Sequence, residues 1–577
     1  MLDFTKPNLL DRIIGLIESR PTSDRLLLRG LLAVVVVTGL YSVIEISRNY
    51  SITIPTRGGT LVEGVVGIPR FVNPALALTR ADQDTTSLIY SGLLKIDTTG
   101  ALIPDLAEAV EVSADGRVYT ITLARNLTFH DGHPLTARDA VYTIELLRDP
   151  DLKSPLRGNW VDVTIETLGE YEFTVTLPEP YAPFIENFTF GIMPHHIWHQ
   201  IPIEQLPFSQ YNTEPIGSGS FRLHRVQRDQ NGLISSYTLR PFIQGERRPN
   251  LSAIELRFFQ NETQLEAAIR DRLVNSTAYL PNQSLANISE DYRVLALPLP
   301  RLFGVFFNQN RSSIIRDKSV REALTIAIDR DRLVEIALYG YGVPNSLPII
   351  LESPELESED KPLDQAARLT EAEARLRSGG WRKTEAGIWE KRIDQVNEIL
   401  GVTLKTGNSP FFEIVANLIA EDWRALGVEV QVEQYEQASL VQAVIRTRDF
   451  QTLLFGLDMN RSQDLFPFWY SSQRDDPGLN IAQYTNVTVD RLLERARTIQ
   501  DDKERFLILT EIAETIASEL PAIFLFAPSL TYVTHHNIDL ELVGPIGRPS
   551  DRFMNVSDWY AKSETVWPIF DHRKDKI

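Results

Sequence analysis

The 577-residue chain is too long for one hydrophobic core, and its 43% hydrophobic and 23% charged residues fit a folded globular protein of two or more lobes. A net charge of −19 and a pI near 5.1 give a surface that repels phosphate and argue against nucleic acid as a partner. The absence of cysteine removes disulfides, thiolate metal sites, cysteine nucleophiles and the thiol of a lipoprotein anchor.

At the N-terminus, "PNLLDRIIGLIESRP" places Leu9, Leu10, Ile13, Ile14 and Ile17 on one helical face. Residues 1–25 therefore read as a cytoplasmic amphipathic segment that lies on the inner membrane surface or packs against a partner helix. "LLLRGLLAVVVVTGLYSVIEI" (26–46) is uncharged from Gly30 to Ile44. That is short for a bilayer needing ~20 apolar residues, and Arg29 and Glu45 extend it by snorkelling. Arg25 and Arg29 on its N-terminal side favour an N-inside transmembrane anchor, with the bulk of the chain on the extracytoplasmic side of the cell membrane. The alternatives are a secretory signal peptide, against which stand the long preceding segment and the lack of a small-x-small cleavage site, and a buried core helix. Residues 47–57 read as a linker.

The body opens at "GGTLVEGVVG", a strand stopped by Pro69. "EAVEVS" and "RVYTITL" alternate across Asp115–Gly116 and form a hairpin. "PLTARDAVYTIELLRD" then turns to helical period, with Thr136 as N-cap and Asp139 in the place of a capping-box Glu. Further on, "DKSVREALTIAIDRDRLVEIAL" is helical by spacing. "LTEAEARLRSGGW" is a helix ended by Gly379–Gly380. "FFEIVANLIAEDWRALGVEVQVEQYE" is a helix, Gly427 and a strand, and "VDRLLERARTIQ" and "ERFLILTEIAETIASEL" are two more helices. The alternation is of α/β type. Two apolar, proline-flanked extended runs, "LALPLPRLFGVFFN" (295–308) and "LPAIFLFAPSLTYVT" (520–534), bracket this half, as segments crossing between two lobes would; two ordinary buried strands fit the same residues.

Taken in order, these segments resemble the family 5 extracellular solute-binding proteins, which include dipeptide and oligopeptide receptors of ABC importers. The resemblance covers about residues 58–535. It rests on "GGTLVEG", on the stretch "LIYSGLLKIDTTGALIPDLAEAVEVSADGRVYTITLARNLTFHDGHPLTARDAVYTI", on "MPHHIW" and on "PIGSGSF". It continues through "FFNQNRSSIIRDKSVREALTIAIDRDRLVEIALYGYGVP", "GGW", "LIAEDWRALGVEVQV" and "QYTNVTVDRLLERAR". The resemblance implies an α/β, two-lobed fold of the periplasmic-binding-protein type II kind with an extra subdomain, here behind one N-terminal transmembrane helix. It places lobe I at 58–78, 210–298 and 520–560, the extra subdomain at 79–209, lobe II at 299–519 and a tail at 561–577. It implies a non-enzymatic receptor that closes on a short peptide and delivers it to an ABC permease. A monomer is expected, tethered to the lipid bilayer through 26–46, with no cofactor, no metal and no catalytic residue.

Three groups of side chains qualify as sites. His130, Asp131 and His133 look like a metal site or a general base, but show no third ligand; a turn at Asp131–Gly132 accounts for them, and the resemblance implies a structural stretch away from the cleft. His195, His196 and His199 lack the Glu of H-E-x-x-H, and His535–His536 reads as a surface pair. The region 455–484 stands where peptide-binding relatives carry an aspartate that pairs with the ligand's amino group, although the pattern is altered. Asp458 and Asp464 are its candidates, a carboxylate being suited to an ammonium in a water-poor cleft; capping of "LFPFWYSS" is the other reading of Asp464. Phe468 and Trp469 pave the pocket or fill core. Rival readings keep the fold with a sugar, opine or metal chelate as ligand, or make the chain a membrane-anchored sensor or interaction protein, or a hydrolase using the histidines.

Overall fold

The computed structural model describes residues 52–244, 248–350, 364–393, 395–542 and 544–566, together with Pro21 and part of 30–45. The expected amphipathic segment 1–25, apart from Pro21, and several positions of 26–46 lie outside the described residues. Those described between Gly30 and Glu45 are helical and exposed. Among the described residues no helix is long and apolar enough to cross a membrane. The terminal segments form a unit of their own, in which Ile52–Pro55 pairs antiparallel with Ser563–Val566. A strand thus stands where the sequence reads as a linker and a tail.

Gly58–Trp559 forms the second unit, organised on a 12-stranded mixed sheet. In chain order its strands are β1 (Thr60–Val66), β2 (Phe221–Arg228), β3 (Ile234–Pro241), β4 (Ala253–Phe259), β5 (Ser276–Thr277) and β6 (Tyr292–Pro298). These are followed by β7 (Arg301–Phe307), β8 (Gly342–Pro344), β9 (Gly401–Gly407), β10 (Glu429–Tyr435), β11 (Thr452–Asp458) and β12 (Ala522–His535). The spatial order is β10-β9-β11-β7-β12-β5-β1-β4-β3-β2, with β6 and β8 also paired to β12.

The two proline-flanked runs meet on β12. Its first residues pair antiparallel with β7 and its last with β6, from Tyr292 opposite His535 to Pro298 opposite Ser529. Leu299–Pro300 is the corner between β6 and β7, because proline has no N–H for a continuous ladder. The second half of the sheet is covered on both faces, which is why "LFGVFF" reads as an unbroken apolar run. Phe303, Val305 and Phe307 enter one core with Ile523 and Leu525, while Leu302 and Phe306 enter another with Ala522 and Phe524.

The local readings hold in most places. Ala107–Val112 pairs with Val118–Leu123 within a separate four-stranded antiparallel sheet. In the helix Ala137–Arg148 the Asp139 carboxylate accepts from both the Thr136 N–H (2.9 Å) and its hydroxyl. Gly380 (φ +87) and Gly427 (φ +97) supply the left-handed residues that end the helices Gln365–Ser378 and Pro410–Leu426. The one long helix expected over "DKSVREALTIAIDRDRLVEIAL" is two, Lys318–Ala327 and Arg330–Ala337. Ile328 is extended and the Asp329 side chain accepts from Arg332 N–H, so an internal aspartate caps a new helix instead of continuing the old one.

Candidate functional site

A cavity of about 440 Å³, within the range of small-molecule sites, is walled by the helix Arg80–Ile89, the turn at Thr189–Gly191 and the C-terminal turns at 548–558. Thr79 starts the helix by a capping box with Asp82, and the helix then presents Gln83, Thr86 and Ser87 to the cavity. Tyr90, its C-cap, is packed against Gly191, where a Cβ would come within 2.5 Å of the Tyr90 Cβ. Tyr90 and Thr86 line this space, and their hydroxyls are buried without a hydrogen-bond partner. Burial pushes the Tyr90 phenol well above its ordinary value, so it stays a neutral donor. On the far wall Arg548 pairs with Asp551 at 3.1 Å, and Asp551 also accepts from the Gly547 N–H. Burial raises the Asp558 carboxyl, against the pull of Lys95. Unsatisfied hydroxyls beside paired charges suit the binding of a polar solute; no histidine lines the space.

Behind this wall a wholly buried charge cluster sets its position. Arg552 makes a bidentate pair with Asp84 (2.8 and 2.7 Å) and a third contact to Glu63 (2.9 Å). Tyr532 and Ser276 donate to Glu63, and Tyr279 donates to Asp84. Burial raises the Glu63 carboxyl against the opposing charge of Arg552; the two carboxylates overcome burial and hold Arg552 well above its ordinary value. The cluster ties β1, β5, β12, the helix Arg80–Ile89 and the turn Pro549–Phe553 into one block.

The histidine patch is a joint. His130 Nδ1 accepts from Gly217 N–H (3.3 Å), which leaves Nε2–H to donate to the Gly219 carbonyl (3.0 Å), and the His130 N–H donates to the Gly217 carbonyl (2.8 Å). Burial pushes His130 down to about 4, so it is neutral at physiological pH. Asp131 caps the turn by accepting from His133 N–H and pairs with His196 at 2.7 Å. Burial would raise Asp131, but the His196 hydrogen bond, the His133 N–H and the charge of His196 together hold the carboxyl low. His133 stacks on His196 and His195 on His199. Among the described residues no three His, Asp or Glu side chains are placed to hold a metal ion.

None of the four candidates of 455–484 lines the cavity. Asp458 ends β11, exposed, and pairs with Arg301 opposite it at the start of β7. Asp464 is buried; it accepts from Arg497 and from the Tyr181 hydroxyl, both at 3.1 Å, and its other oxygen accepts from Phe466 N–H. Asp464 thus combines a local turn contact with a charge pair, and the N-cap of the short helix Phe466–Trp469 is Leu465, without a side-chain cap. Trp469 is 1% exposed, enclosed by Phe306, Tyr484 and Phe524, and Phe468 packs on the same core. The cavity residues escape a reading of the sequence because Tyr90 and Thr86 look like a helix end, and their missing partners are a property of tertiary packing. The one signal is "RPSDRF", where two arginines alternate with an aspartate far from any expected helix.

The model of the bacterial extracellular solute-binding proteins, family 5 (middle), matches residues 101–477. The oligopeptide-binding protein AppA of Bacillus subtilis is 27% identical over 528 residues, 88% of this chain and 92% of AppA. Its structure with a nonapeptide superposes with a TM-score of 0.60 at 25% identity, covering 88% of this chain and 99% of that one. The fold is also that of the murein tripeptide-binding protein MppA in an unliganded open form (TM-score 0.71, 18% identity, 88% and 98% covered). It is shared as well with NikZ of Campylobacter jejuni holding Ni(L-His) (TM-score 0.61, 22% identity, 87% and 99% covered). With two-thirds of its length matched by the family model and a mixed α/β fold shared over nearly whole chains, this protein belongs to the bacterial extracellular solute-binding proteins of family 5, and is a solute-binding protein rather than an enzyme.

Proposed function

We propose that this chain is the receptor of an ABC importer, that it binds short peptides, and that the cavity beside Tyr90 is part of the binding site. The observation that carries the receptor reading is the course of β6, β7 and β12. The two halves of the sheet are joined by extended strands bonded to one another, a junction that bends as a unit when lobes close on a solute. The lobes of this reading are 58–78 with 210–298 and 520–560, and 299–519, with 79–209 as the extra subdomain. Peptide as ligand class is supported by the likeness to AppA. A ligand ammonium at Asp464 has to join or displace Arg497 and Tyr181, which makes that carboxylate a switchable partner rather than a free anchor.

Calorimetry of the full chain in detergent tests the reading, with a mixed short-peptide library set against sugars and a nickel–histidine chelate. Peptides are expected to give saturable binding at about micromolar Kd or tighter, roughly −8 kcal/mol. Tyr90→Phe removes a hydroxyl that no protein group satisfies, so folding stability should hold or rise while peptide affinity falls by about 1 kcal/mol, roughly fivefold. Binding of a sugar or chelate with no response to any peptide would remove the peptide assignment and leave the receptor.

We infer further that residues 26–46 tether the protein to the cell membrane, since the uncharged run from Gly30 to Ile44 has Arg25 and Arg29 on its N-terminal side. Protease added to spheroplasts is expected to release a soluble body of nearly full mass. A mature chain that begins after residue 46 would make the segment a signal peptide instead.

A further inference from the structure

One free edge of the large sheet is β2, and its outward face is basic on a chain whose net charge is −19. Where β2 pairs with β3, Arg222 stands directly opposite Arg240, and Leu223 opposite Leu239. The next pair is Arg225 opposite Thr238, so His224 is an extra residue, a bulge. Without the bulge Arg222 and Arg225, three residues apart, would point to opposite faces. With it both stand on the face away from the buried Leu239 and Tyr237. Arg222, Arg225 and Arg240 are all exposed, and none has a carboxylate partner among the described residues. Glu255, opposite Thr238 on β4, is taken by Arg257 at 2.8 Å. Arg240 donates to the Ser252 carbonyl (3.1 Å). Like charges directly opposite one another in a sheet are destabilising, and no ion pair offsets this one. The row runs inward: Leu239 lies opposite Ile254 on β4, and Ala253, one step along, lies opposite Thr60 on β1. Two residues before Thr60 is Gly58, where the body begins and whose N–H donates to the Asn250 carbonyl. Ile243 is 58% exposed at the same end, just past β3, where the Phe242 N–H donates to the Ser220 carbonyl.

We propose that this face docks on anionic headgroups of the membrane, with Arg222, Arg225 and Arg240 on lipid phosphates and Ile243 entering the interface. Three observations favour a lipid surface as the occupant. The first is charge. An anionic bilayer repels most of an acidic body and attracts this patch, which turns the face toward it. Screening over about 8 Å at physiological ionic strength confines that attraction to the docked state. The second is shape. A flat set of guanidinium groups beside an exposed aliphatic side chain fits a plane of phosphates over hydrocarbon. The third is position, and here the inference rests on the reading of 26–46 as a tether. Residues 47–57 span no more than about 40 Å when fully extended, so a face level with Thr60 stays within reach of the bilayer. Docking holds the body in one orientation at the membrane instead of letting it swing on its linker. The cross-strand arginine pair, a local cost to the sheet, is thereby offset by phosphate.

The absence of cysteine makes the test direct. The full chain is reconstituted in lipid nanodiscs with a polarity-sensitive dye on Ile243→Cys, or on Glu511→Cys, an exposed helical position, as the control. In discs rich in phosphatidylglycerol the dye at 243 is expected to shift to the blue and to be quenched by nitroxide-bearing lipid. In phosphatidylcholine discs, or in about 1 M salt, it should do neither, and the dye at 511 should respond in none of these. Arg222→Gln, Arg225→Gln and Arg240→Gln should each lower the ratio of docked to undocked body about fivefold. Arg222→Gln also relieves the cross-strand pair, so thermal stability should hold or rise, as it would not for an arginine with a merely structural role. Equal quenching in neutral and anionic discs, none in anionic discs, or quenching retained when all three arginines are replaced would overturn the proposal. So would binding of poly-glutamate without any response to anionic lipid, which would assign the face to an acidic protein. A chain recovered outside the discs would remove the tether reading alone. Docking is then read by flotation with phosphatidylglycerol against phosphatidylcholine vesicles; the same dependence on the three arginines is expected, and its absence would overturn the proposal.

Discussion

Replacing Arg552 with methionine is expected to lower the folding stability by about 3–5 kcal/mol, the cost of leaving buried carboxylates without their cation. Methionine keeps much of the packing against Phe553 and Tyr532 that the guanidinium now provides. What it removes are the three contacts to Asp84 and Glu63, both fully buried. The loss should depend on pH in a defined direction. Burial already raises Glu63 in the wild type, and without Arg552 that carboxyl rises further above its unfolded value. Groups raised on folding contribute stability below the unfolded pKa and lose it as pH climbs through the folded value. The variant should therefore approach the wild type as pH is lowered from neutrality toward the ordinary carboxylate range. Calorimetric melting at several pH values reads both effects. A uniform penalty at every pH would mean that packing, and not unpaired charge, is what the arginine contributes.

The second large effect is expected at Gly217. An added Cβ there would lie 2.1 Å from the Ile89 carbonyl oxygen and 2.8 Å from its carbon, a collision with backbone that no rotamer change relieves. Gly217→Ala should cost more than ~3 kcal/mol, above the usual range for overpacking because the contact is to main chain. Gly132 is the control: it has φ +88 but open space around its Cβ position, so Gly132→Ala should cost only ~1–2 kcal/mol of backbone strain. His130→Ala loosens the same joint from its other side by removing two hydrogen bonds, about 1–2 kcal/mol together, with solute affinity unchanged. Since His130 is depressed to about 4 in the folded protein, its contribution is complete above the ordinary histidine value near 6.5. It is lost as pH falls from there toward 4. Chemical denaturation of the three variants, followed at two pH values, orders them. A mild phenotype at Gly217 equal to that at Gly132 would show that the helix end can retreat.

Local periodicity placed part of the regular structure and passed over β2, β3, β4, β9, β11 and the helix Arg80–Ile89. β1, the hairpin around Asp115–Gly116, the helix capped by Thr136 and Asp139, and the glycine-ended helices all follow from short-range chemistry. The ordered motifs were enough to indicate the family. The two proline-flanked runs were visible as extended apolar sequence. The division at Asp329, where one helix was expected, was a local event, a capping carboxylate inside an otherwise continuous helical pattern. The site was a different matter. Asp458 and Asp464 were marked out by their position in a loop, but whether a carboxylate is open to a ligand depends on which cation the fold brings to it. Arg301 and Arg497 come from strands and helices that the sequence does not connect to them. Trp469 could line a cleft or fill a core on any local reading, and packing against Phe306 and Phe524 decided it. Tyr90 and Thr86 carried no sequence signal, because an unsatisfied hydroxyl is defined by surroundings assembled from segments hundreds of residues apart. Backbone preference is written residue by residue; partnership and desolvation exist only once the chain has closed on itself.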